Sequence, residues 1–301
     1  MSPIKVVHSF WSTPYNNKNQ FCFNKGNWVH RVFNYMSWTL SCLKLREFYD
    51  EVELVTDHNG KMLLIDILQL PYTTVKLDLE TLKPYVGMPQ LWSLGKIKAY
   101  AIQDEPFIHV DGDVYIYKPF PENIVNSSLL CQQVEPENKF HTSNVKYLFD
   151  HLDYIPSDIK KYHKETTNCS QHNAGIIGGH DLDFFKKYTT KAFKFVDKNL
   201  SHLSKLPKGI IFPTLFEQYL FTAIAYTNKK EISTLLETPT NSNHTFSNLS
   251  DFHDLPHTPF IHLISFFKED FSYGEFIAQR LWYEYPKYYV RIISLMKANK
   301  I

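Results

Sequence analysis

Hydrophobic and polar positions alternate in blocks along the first 116 residues, and these blocks predict strands and helices in turn. Ile4 to Phe10 is an apolar run typical of a buried strand, and apolar residues recur at helical spacing between Trp28 and Tyr49. The same reading predicts further strands at Glu51–Thr56 and Thr73–Leu77, helices at Met62–Leu70 and Leu91–Ile102, and a strand pattern at Phe107–Ile116 that an acidic turn interrupts. This order predicts an α/β fold with a mostly parallel central sheet flanked by helices.

The second half of the chain is less regular. Residues 134–170 are polar and predict mainly loop, whereas Gln171–Gly179 is strand-like. Helices are predicted at Asp181–Val196 and Phe212–Tyr226, and a C-terminal helical segment at Ser272–Lys300 with a break at Pro286. The Asn-, Ser- and Thr-rich stretch 238–250 predicts a mobile loop. Since no repeat or linker is visible, we expect a single domain over residues 1–301.

Composition excludes several classes of protein. With 32 Lys plus Arg against 31 Asp plus Glu, the chain lacks the basic excess of a nucleic-acid-binding protein. The four scattered cysteines favour neither a zinc site nor a disulfide scaffold. Neither a secretory signal nor an apolar run long enough to span a bilayer is apparent, so we expect a cytoplasmic protein. An aromatic cluster near the C-terminus is compatible with packing onto the domain or with contact to an acceptor or a membrane surface: Trp282, Tyr283, Tyr285, Tyr288 and Tyr289.

Asp111-Gly112-Asp113 is the strongest candidate for chemistry. Its carboxylates follow an apolar strand and precede another, and acidic residues in so apolar a stretch are costly unless they are paired or bind a cation. Side chains two residues apart at a strand end can converge on one side. Mn²⁺ or Mg²⁺ prefers such oxygen ligands. Because about one D-x-D is expected in any chain of this length, Asp181-Leu-Asp183 serves as an internal comparison, and we interpret it as the start of a helix.

Other candidates lie far away along the chain. His262 is a plausible third metal ligand, and Lys268 a partner for phosphate; the alternative is a core histidine and a solvated lysine. Asn173 and Gly175 offer an amide and a close backbone approach to sugar hydroxyls, or a structural turn. Of Glu217 and Gln218, at most one is expected to face a site, because adjacent helical side chains point about 100° apart. Asp57, like Asp111, is predicted at the carboxyl edge of the sheet.

In this order, these elements resemble the GT-A glycosyltransferases, in particular the glycogenin and lipopolysaccharide galactosyltransferase type of family 8 and its relatives. The resemblance implies a Rossmann-like sheet, a nucleotide-binding turn near Ser9 and Trp11, and a basic residue before the metal strand at Lys96 or Lys98. It also implies metal binding by Asp111, Asp113 and His262, a sugar pocket at Asn173-Ala-Gly175, and diphosphate binding by Lys268. Residues 1–120 would then be the nucleotide-binding half and 121–301 the acceptor-binding half. The chain differs at Ile264-Ser265, where the family has a glycine, and has Glu217-Gln218 in place of a D-Q-D pattern.

The predicted function is therefore transfer of a hexose from a nucleoside diphosphate sugar, with a UDP-sugar as the first choice of donor, to a hydroxyl acceptor. Asp111, Asp113, Glu217 and Gln218 are the candidate catalytic residues, and Ser9, Trp11, Asp57, Lys96, Asn173, Gly175 and Lys268 the candidate donor-binding residues. Two alternatives stay open: a nucleotidyltransferase acting on a sugar phosphate, and a non-catalytic protein that binds nucleotide-sugar or carbohydrate.

Overall fold

The computed structural model describes residues 4–12, 26–167, 169–203, 206–207, 209–237, 252 and 258–301. The predicted mobile loop at 238–250 lies outside these residues. So does Thr13, the end of the predicted nucleotide-binding turn.

The strands and helices confirm the predicted α/β fold, and its central sheet has seven strands and is mostly parallel. The strands are β1 (Lys5–Phe10), β2 (Val52–Thr56), β3 (Thr74–Lys76), β4 (Phe107–Val110), β5 (Val114–Ile116), β6 (Leu130–Cys131), β7 (Val134–Glu135), β8 (Gln171–His172), β9 (Ile176–Gly179), β10 (Ser233–Thr234) and β11 (Phe260–His262). The helices are α1 (Arg31–Phe48), α2 (His58–Lys61), α3 (Leu94–Ala101), α4 (Glu122–Val125), α5 (Lys139–His151), α6 (Ser157–Thr166), α7 (Leu182–Asp197), α8 (Leu200–Leu203), α9 (Leu220–Thr227), α10 (Phe271–Glu284) and α11 (Pro286–Lys297).

The chain forms two compact units. Unit 1 comprises Met1–Gly87, Val110–Pro119 and Phe246–Ile301, and unit 2 comprises Met88–His109 and Phe120–Thr245. Unit 1 therefore joins both ends of the chain, because its C-terminal helices α10 and α11 pack against the N-terminal helix α1. The single domain with halves at 1–120 and 121–301 stays a prediction.

Unit 1 is built on the parallel strands β1, β2 and β3, with β2 in the middle. Every residue of β2 is buried, as expected for a strand that is covered on both faces. The strands β5 and β11 form a separate antiparallel pair in which His262 lies opposite Val114. Apolar residues of α1, α10 and α11 complete the core of this unit, among them Phe33, Met36, Leu40, Ile277, Leu281 and Ile292.

Unit 2 contains β6, which pairs in parallel with β10 and antiparallel with β9. Gly178 of β9 is required for space, because a Cβ there would lie 2.0 Å from the carbonyl oxygen of Phe107. Helix α3 packs against α7, and α6 against α9. The core of this unit is aromatic: Tyr100, Phe107, Phe185, Tyr188 and Phe221. Much of the high aromatic content thus fills the core.

The prediction of mainly loop over residues 134–170 is wrong, because α5 and α6 both lie there. In α5, the polar residues His141 and Asn144 occupy buried positions beside Val145 and Leu148. Each has an internal partner that offsets its desolvation: His141 Nδ1 lies 3.2 Å from the carbonyl of Pro136, and Asn144 accepts the N–H of Ile211. Polar residues on the inward face conceal the apolar period from which a helix is predicted.

The helices predicted elsewhere are present, with local adjustments, and the short helices α2, α4 and α8 are additional to them. Helix α2 continues into a π-helical turn at Met62–Ile67, and α9 is preceded by another at Thr214–Tyr219. The break at Pro286 is confirmed, since α10 ends at Glu284 and α11 begins at Pro286. Among the helices of the described residues, none is long and apolar enough to cross a bilayer.

Candidate functional site

The acidic motif, which belongs to unit 1, forms a tight turn between two buried strands. Strand β4 ends at Val110, β5 begins at Val114, and the N–H of Val114 donates to the carbonyl of Asp111 at 3.1 Å. Val114, Tyr115 and Ile116 are fully buried, so the strand after the turn is fixed by the core. The two carboxylates therefore sit on a short, well-anchored segment, which limits their freedom before any ligand binds.

Helix α1 holds the backbone of this turn with two serines one helical turn apart. Ser37 donates to the carbonyl of Gly112 at 2.8 Å, and Ser41 donates to the carbonyl of Val114 at 2.6 Å. Both serines are buried, so these bonds also satisfy hydroxyls that cannot reach water. Trp38, between them, packs so closely that a Cβ on Gly112 would lie 2.5 Å from its ring. Glycine is thus required there by the space beside Trp38.

The antiparallel pairing of β5 with β11 brings His262 to the turn. Beyond the last strand pair, the N–H of Leu263 donates to the carbonyl of Asp113 at 3.1 Å. His262 Nε2 then lies 3.5 Å from Asp113 Oδ1. The chain continues into a 3-10 helix at Ser265–Glu269, which places Lys268 Nζ 2.5 Å from Asp113 Oδ2. Ser265 begins this helix with φ +27°, in the region that favours glycine, at the position where the family resemblance has one.

The side chains of Asp111, Asp113 and His262 converge as a candidate metal centre. One ligand atom from each lies within 4.8 Å of the other two. Two carboxylate oxygens and an imidazole nitrogen are donors that a divalent cation such as Mn²⁺ accepts, so the residues fit the predicted ion by chemistry and by convergence. The predicted contact between Asp113 and the distant His262 is thereby confirmed as a contact. The identity of the ion stays a prediction.

The electrostatics of the cluster favour an ionised Asp113. Burial by itself would raise the pKa of this carboxyl group, but the positive charge of Lys268 and the nearby imidazole of His262 outweigh burial and hold the pKa well below its usual range. Asp113 is thus ready to bind a cation near neutral pH. Lys268 already provides one positive charge beside it, so a metal ion and Lys268 would compete for the same carboxylate.

A buried polar chain supports the turn from β1. Ser41 donates its hydrogen to Val114, so at 3.2 Å it can only accept from His8 Nε2. The other ring nitrogen of His8 lies 2.7 Å from the hydroxyl of Tyr72 and accepts from it. Burial lowers the pKa of His8 to about 3, although the negative charge of Asp113 raises it. His8 is therefore a neutral histidine whose tautomer is set by its two neighbours.

The predicted nucleotide-binding residues of unit 1 lie at the carboxyl ends of β1 and β2. The carboxylate of Asp57 accepts from the N–H and hydroxyl of Ser12 and from the N–H of Gly60. Asp57 thus caps α2 and ties the segment after β1 to it. Ser9 is partly exposed in β1, and Trp11 is buried. The contribution of Ser9, Trp11 and Asp57 to donor binding stays a prediction.

Unit 2 brings two other predicted residues, Lys96 and Glu217, together. Lys96 Nζ lies 2.6 Å from Glu217 Oε1 and donates to the carbonyl of Ala174 at 3.0 Å. Both members of this ion pair are almost completely buried. Breaking a buried pair by removing one partner costs several kcal/mol, about 3–5. Glu217 therefore has a structural role as the counter-charge of Lys96.

The remaining predicted residues of unit 2 differ in how fully they are engaged. Asn173 donates to Glu135 at 2.6 Å and accepts the N–H of Gly175 at 2.8 Å, so its amide shapes the turn between β8 and β9. Gln218, on the π-helical turn, has a buried Oε1 with no hydrogen-bond partner among the described residues. Between the adjacent candidates, Gln218 is thus the one with an unsatisfied group to offer a ligand. Sugar binding by Asn173 and Gly175 stays a prediction.

The sequence reading missed the residues that hold the acidic turn, namely Ser37, Trp38 and Ser41 of α1. A signal was present, because two serines spaced i and i+4 interrupt the apolar face of a predicted helix. Because buried hydroxyls need hydrogen-bond partners, such serines predict that acceptors for them lie nearby in the fold. Their actual partners, the carbonyls of the turn, lie more than 70 positions away and cannot be inferred from spacing.

Comparison with known proteins gives a family and distant structural neighbours. A model of a family of unknown function, DUF6734, matches residues 4–295. No curated protein matches the chain. Among solved structures, it aligns with the glycosyltransferase GlyE of Streptococcus pneumoniae TIGR4 at 9% identity and a TM-score of 0.44, covering 99% of this chain and 65% of GlyE. It also aligns with mouse xyloside xylosyltransferase 1 at 11% identity and a TM-score of 0.42, covering 86% of this chain and 96% of that one.

A third aligned structure is the galactosyltransferase LgtC in complex with donor and acceptor sugar analogues, at 8% identity and a TM-score of 0.37, covering 71% of this chain and 70% of that one. All three proteins are glycosyltransferases by name. This chain spans 65% of the length of GlyE. At such TM-scores the likeness does not decide the function, which has to be argued from the residues themselves.

Proposed function

The chain belongs to DUF6734, a family of unknown function, and we propose that it is a metal-dependent glycosyltransferase of the GT-A type. The reaction is transfer of a hexose from a nucleoside diphosphate sugar, with a UDP-sugar as the first donor to test, to a hydroxyl acceptor. The cofactor is Mn²⁺ or Mg²⁺. The place of action is the cytoplasm, and the nearest alternative is a protein that binds nucleotide-sugar without turnover.

One observation carries the proposal: Asp111, Asp113 and His262, from two distant parts of the chain, present converging ligand atoms beside Lys268. Three ligands from the protein leave coordination positions for phosphate oxygens, as hard cations in phosphate-binding sites require. Helix α1 fixes the turn in advance, so little ordering is needed on binding.

Each residue of the proposed site has a separate role. When bound, the cation supplies Lewis-acid stabilisation of the diphosphate leaving group. Asp111, Asp113 and His262 would hold it, and the ammonium of Lys268, 2.5 Å from Asp113, would lie beside the diphosphate. Lys268 then donates to a diphosphate oxygen, so that it stabilises charge as the bond to the sugar breaks. In unit 2, the unsatisfied Oε1 of Gln218 is an acceptor for a hydroxyl.

The stereochemical outcome follows from whether a base is needed. A family-8-like enzyme retains the anomeric configuration and requires no strong base. Glu217, the candidate base for inversion, is paired with Lys96 inside unit 2. This pairing favours retention, and NMR of the anomeric proton in the product distinguishes the two outcomes.

The proposal is tested by incubating the protein with a panel of nucleotide-sugars in the presence of Mn²⁺ or EDTA. We expect hydrolysis or transfer with at least one donor, and its complete loss in EDTA. Turnover that persists in EDTA would remove the central mechanism. Release of pyrophosphate from a sugar phosphate and a nucleoside triphosphate would instead identify a nucleotidyltransferase. Calorimetry that shows donor binding with no turnover across many acceptors would identify a binding protein.

Lys268 provides a sharper test because its two predicted effects have opposite signs. Lys268→Ala removes the cation that competes for Asp113, so Mn²⁺ should bind about tenfold more tightly, equivalent to ~1.4 kcal/mol. The same variant should bind UDP about tenfold more weakly in the presence of Mn²⁺. Titration calorimetry measures both affinities, with Lys297→Ala as the control, since Lys297 is exposed near the end of α11. Weaker Mn²⁺ binding by Lys268→Ala would contradict the competition.

A further inference from the structure

Helix α10 carries a stripe of exposed and partly exposed side chains that takes no part in the proposed metal centre. Phe276, Gln279, Arg280 and Tyr283 follow one another at i, i+3, i+4 and i+7, so they lie on one face of the helix. Together with Phe252 they line a cleft of about 330 Å³. This volume falls at the lower end of the range for small-molecule sites. We call it the α10 cleft.

Apart from Phe276, which packs against the core, the residues of this stripe are not part of the core of unit 1. Helix α10 is anchored by its other face, where Gly274, Ile277 and Leu281 are buried. Gly274 lies so close to α1 that a Cβ there would meet the ring of Phe33 at 2.6 Å. Tyr283, by contrast, is 84% exposed. A large aromatic side chain that is so exposed, on a helix held rigidly from behind, adds little to stability and is available for a ligand.

The polar groups of the cleft are held in place and are neutral as a set. Arg280 donates from Nη1 to Glu284 at 3.4 Å, and the other carboxylate oxygen of Glu284 accepts from Lys44 at 3.0 Å. Lys44 in turn contacts Glu47 at 2.7 Å. This chain of alternating charges cancels the positive charge of Arg280. Within the described part of the chain, this is the only hydrogen bond of Arg280, so other N–H groups of its guanidinium are available to a ligand.

Aromatic rings bound the cleft at both ends of the stripe. Phe276 stacks on Phe252 with ring centroids 5.4 Å apart, so its position is fixed by a buried neighbour. Tyr283 lies two helical turns further along. The amide of Gln279, which both donates and accepts, lies on the same stripe between them. Flat apolar surfaces beside amide and guanidinium donors match a sugar ring, whose faces are apolar and whose rim carries hydroxyls.

We propose that the α10 cleft is a carbohydrate-binding site that holds one neutral sugar ring of a glycan. The identification of the bound molecule as the acceptor rests on the proposed function. The inference narrows that acceptor to a neutral glycan. Phe276 and Tyr283 contact the sugar faces, and Gln279 and Arg280 bind its hydroxyls. A phosphate or carboxylate ligand fits less well, because Glu284 already neutralises Arg280.

The test is glycan binding measured by saturation-transfer difference NMR on the full chain. The probes are maltotriose, cellotriose and lactose, with glucose 6-phosphate as the charged comparison. At least one neutral oligosaccharide should bind, and Tyr283→Ala and Gln279→Ala should each weaken it about tenfold. Trp282→Ala is the matched control, because Trp282 is also exposed on α10 but contacts Tyr289 outside the stripe. It should leave binding unchanged.

The proposal would be overturned if no neutral oligosaccharide bound, or if glucose 6-phosphate bound more tightly than all of them. It would also be overturned if Trp282→Ala weakened binding as much as Tyr283→Ala does. Partition to vesicles of anionic lipid is measured as well, and a Tyr283→Ala variant that lost only this partition would identify a membrane contact instead. Binding of Mn²⁺ and UDP, measured on the same samples, separates this inference from the proposed function. Glycan binding without metal-dependent turnover would support the cleft and remove the enzyme assignment, and the reverse result would remove the cleft alone.

Discussion

The chain contains the pattern D-x-D twice, and the two copies end in opposite surroundings. Asp111-Gly112-Asp113 lies in a turn between buried strands, and the side chain of Asp113 is only 14% exposed. Asp181-Leu-Asp183 begins helix α7, where Asp181 caps the N–H of Phe184 at 3.0 Å. The side chain of Asp183 is 96% exposed. Three letters of sequence therefore do not define a metal site.

The flanking residues explain the difference. Apolar strands on both sides of Asp111 and Asp113 carry the carboxylates to the edge of the core, where a charge needs a partner. Their partners, His262 and Lys268, come from a distant segment through the pairing of β5 with β11. The second motif is followed by an amphipathic helix, so its carboxylates satisfy backbone N–H groups and exposed lysines. The same spacing is a candidate cation site in one place and a helix cap in the other.

The largest expected effect separates the two motifs by metal binding. Asp113→Asn removes a charged ligand from a set of three, so the affinity for Mn²⁺ should fall about a thousandfold, equivalent to ~4 kcal/mol. Asp183→Asn makes the same chemical change in the exposed motif and should leave the affinity unchanged. Titration calorimetry measures both, with thermal melting to show that each variant is folded. Equal affinities for the two variants would refute the metal centre.

The next effect tests the space around the first motif. Gly112→Ala places a Cβ 2.5 Å from the ring of Trp38, so it should destabilise the fold by ~2–3 kcal/mol. Leu182, at the middle position of the second motif, is partly exposed at the start of α7, so Leu182→Ala should cost less than ~1 kcal/mol. Urea denaturation measures both. The double variant Gly112→Ala with Trp38→Leu should recover part of the loss, and a failure to recover would mean that the ring is not the obstacle.

The fold was largely predictable because its strands and longest helices have clear apolar patterns. Ile4–Phe10, Glu51–Thr56 and Thr73–Leu77 all contain the strands that the structure has there. The helices at residues 134–170 escape prediction because α5 and α6 bury His141, Asn144 and Asp158. Asn144 and Asp158 have partners that lie far away in sequence, Ile211 and Lys191. Polar residues on an inward face remove the periodic signal, and only tertiary contacts reveal why they are tolerated.

The candidate metal ligands could be predicted from the sequence, whereas the residues that hold the turn could not. The apolar flanks of Asp111 and Asp113 distinguish them from Asp181 and Asp183 without a structure. The chemistry of their side chains makes His262 a plausible ligand and Lys268 a plausible phosphate partner, and the family resemblance links both to the turn. The serines of α1 were missed altogether. Spacing along the sequence predicts which side chains are neighbours within one helix or strand, but contacts between helices and strands depend on register and packing.

A third prediction concerns the histidine that supports the first motif. Burial holds the pKa of His8 at about 3, below the ordinary value of 6.5, so the unfolded chain takes up a proton between these values and the folded chain does not. The contribution of His8 to stability is therefore complete above about pH 6.5 and is lost as the pH falls towards 3. Between pH 7 and 5 the wild type should lose ~1–2 kcal/mol more than His8→Gln.

Urea denaturation at several pH values measures this difference. The second motif contains no buried histidine, so replacement of Asp181 by Asn should leave the pH dependence of the wild type in place over this window. A His8→Gln variant whose stability falls as steeply as that of the wild type would show that another group causes the loss.

The smallest effect defines the second motif as a helix cap. Asp181→Ala removes the side chain that accepts from Phe184, and it also removes the ion pair with Lys230 at 2.7 Å, so it should destabilise the fold by ~1 kcal/mol. Asp181→Asn keeps an acceptor oxygen at the cap and should lose only a fraction of that amount. Neither change should alter Mn²⁺ affinity, because the carboxylates of this motif are engaged by the start of α7, Lys186 and Lys230. If Asp181→Ala weakened Mn²⁺ binding without lowering stability, the second motif would bind the cation and would not be a helix cap.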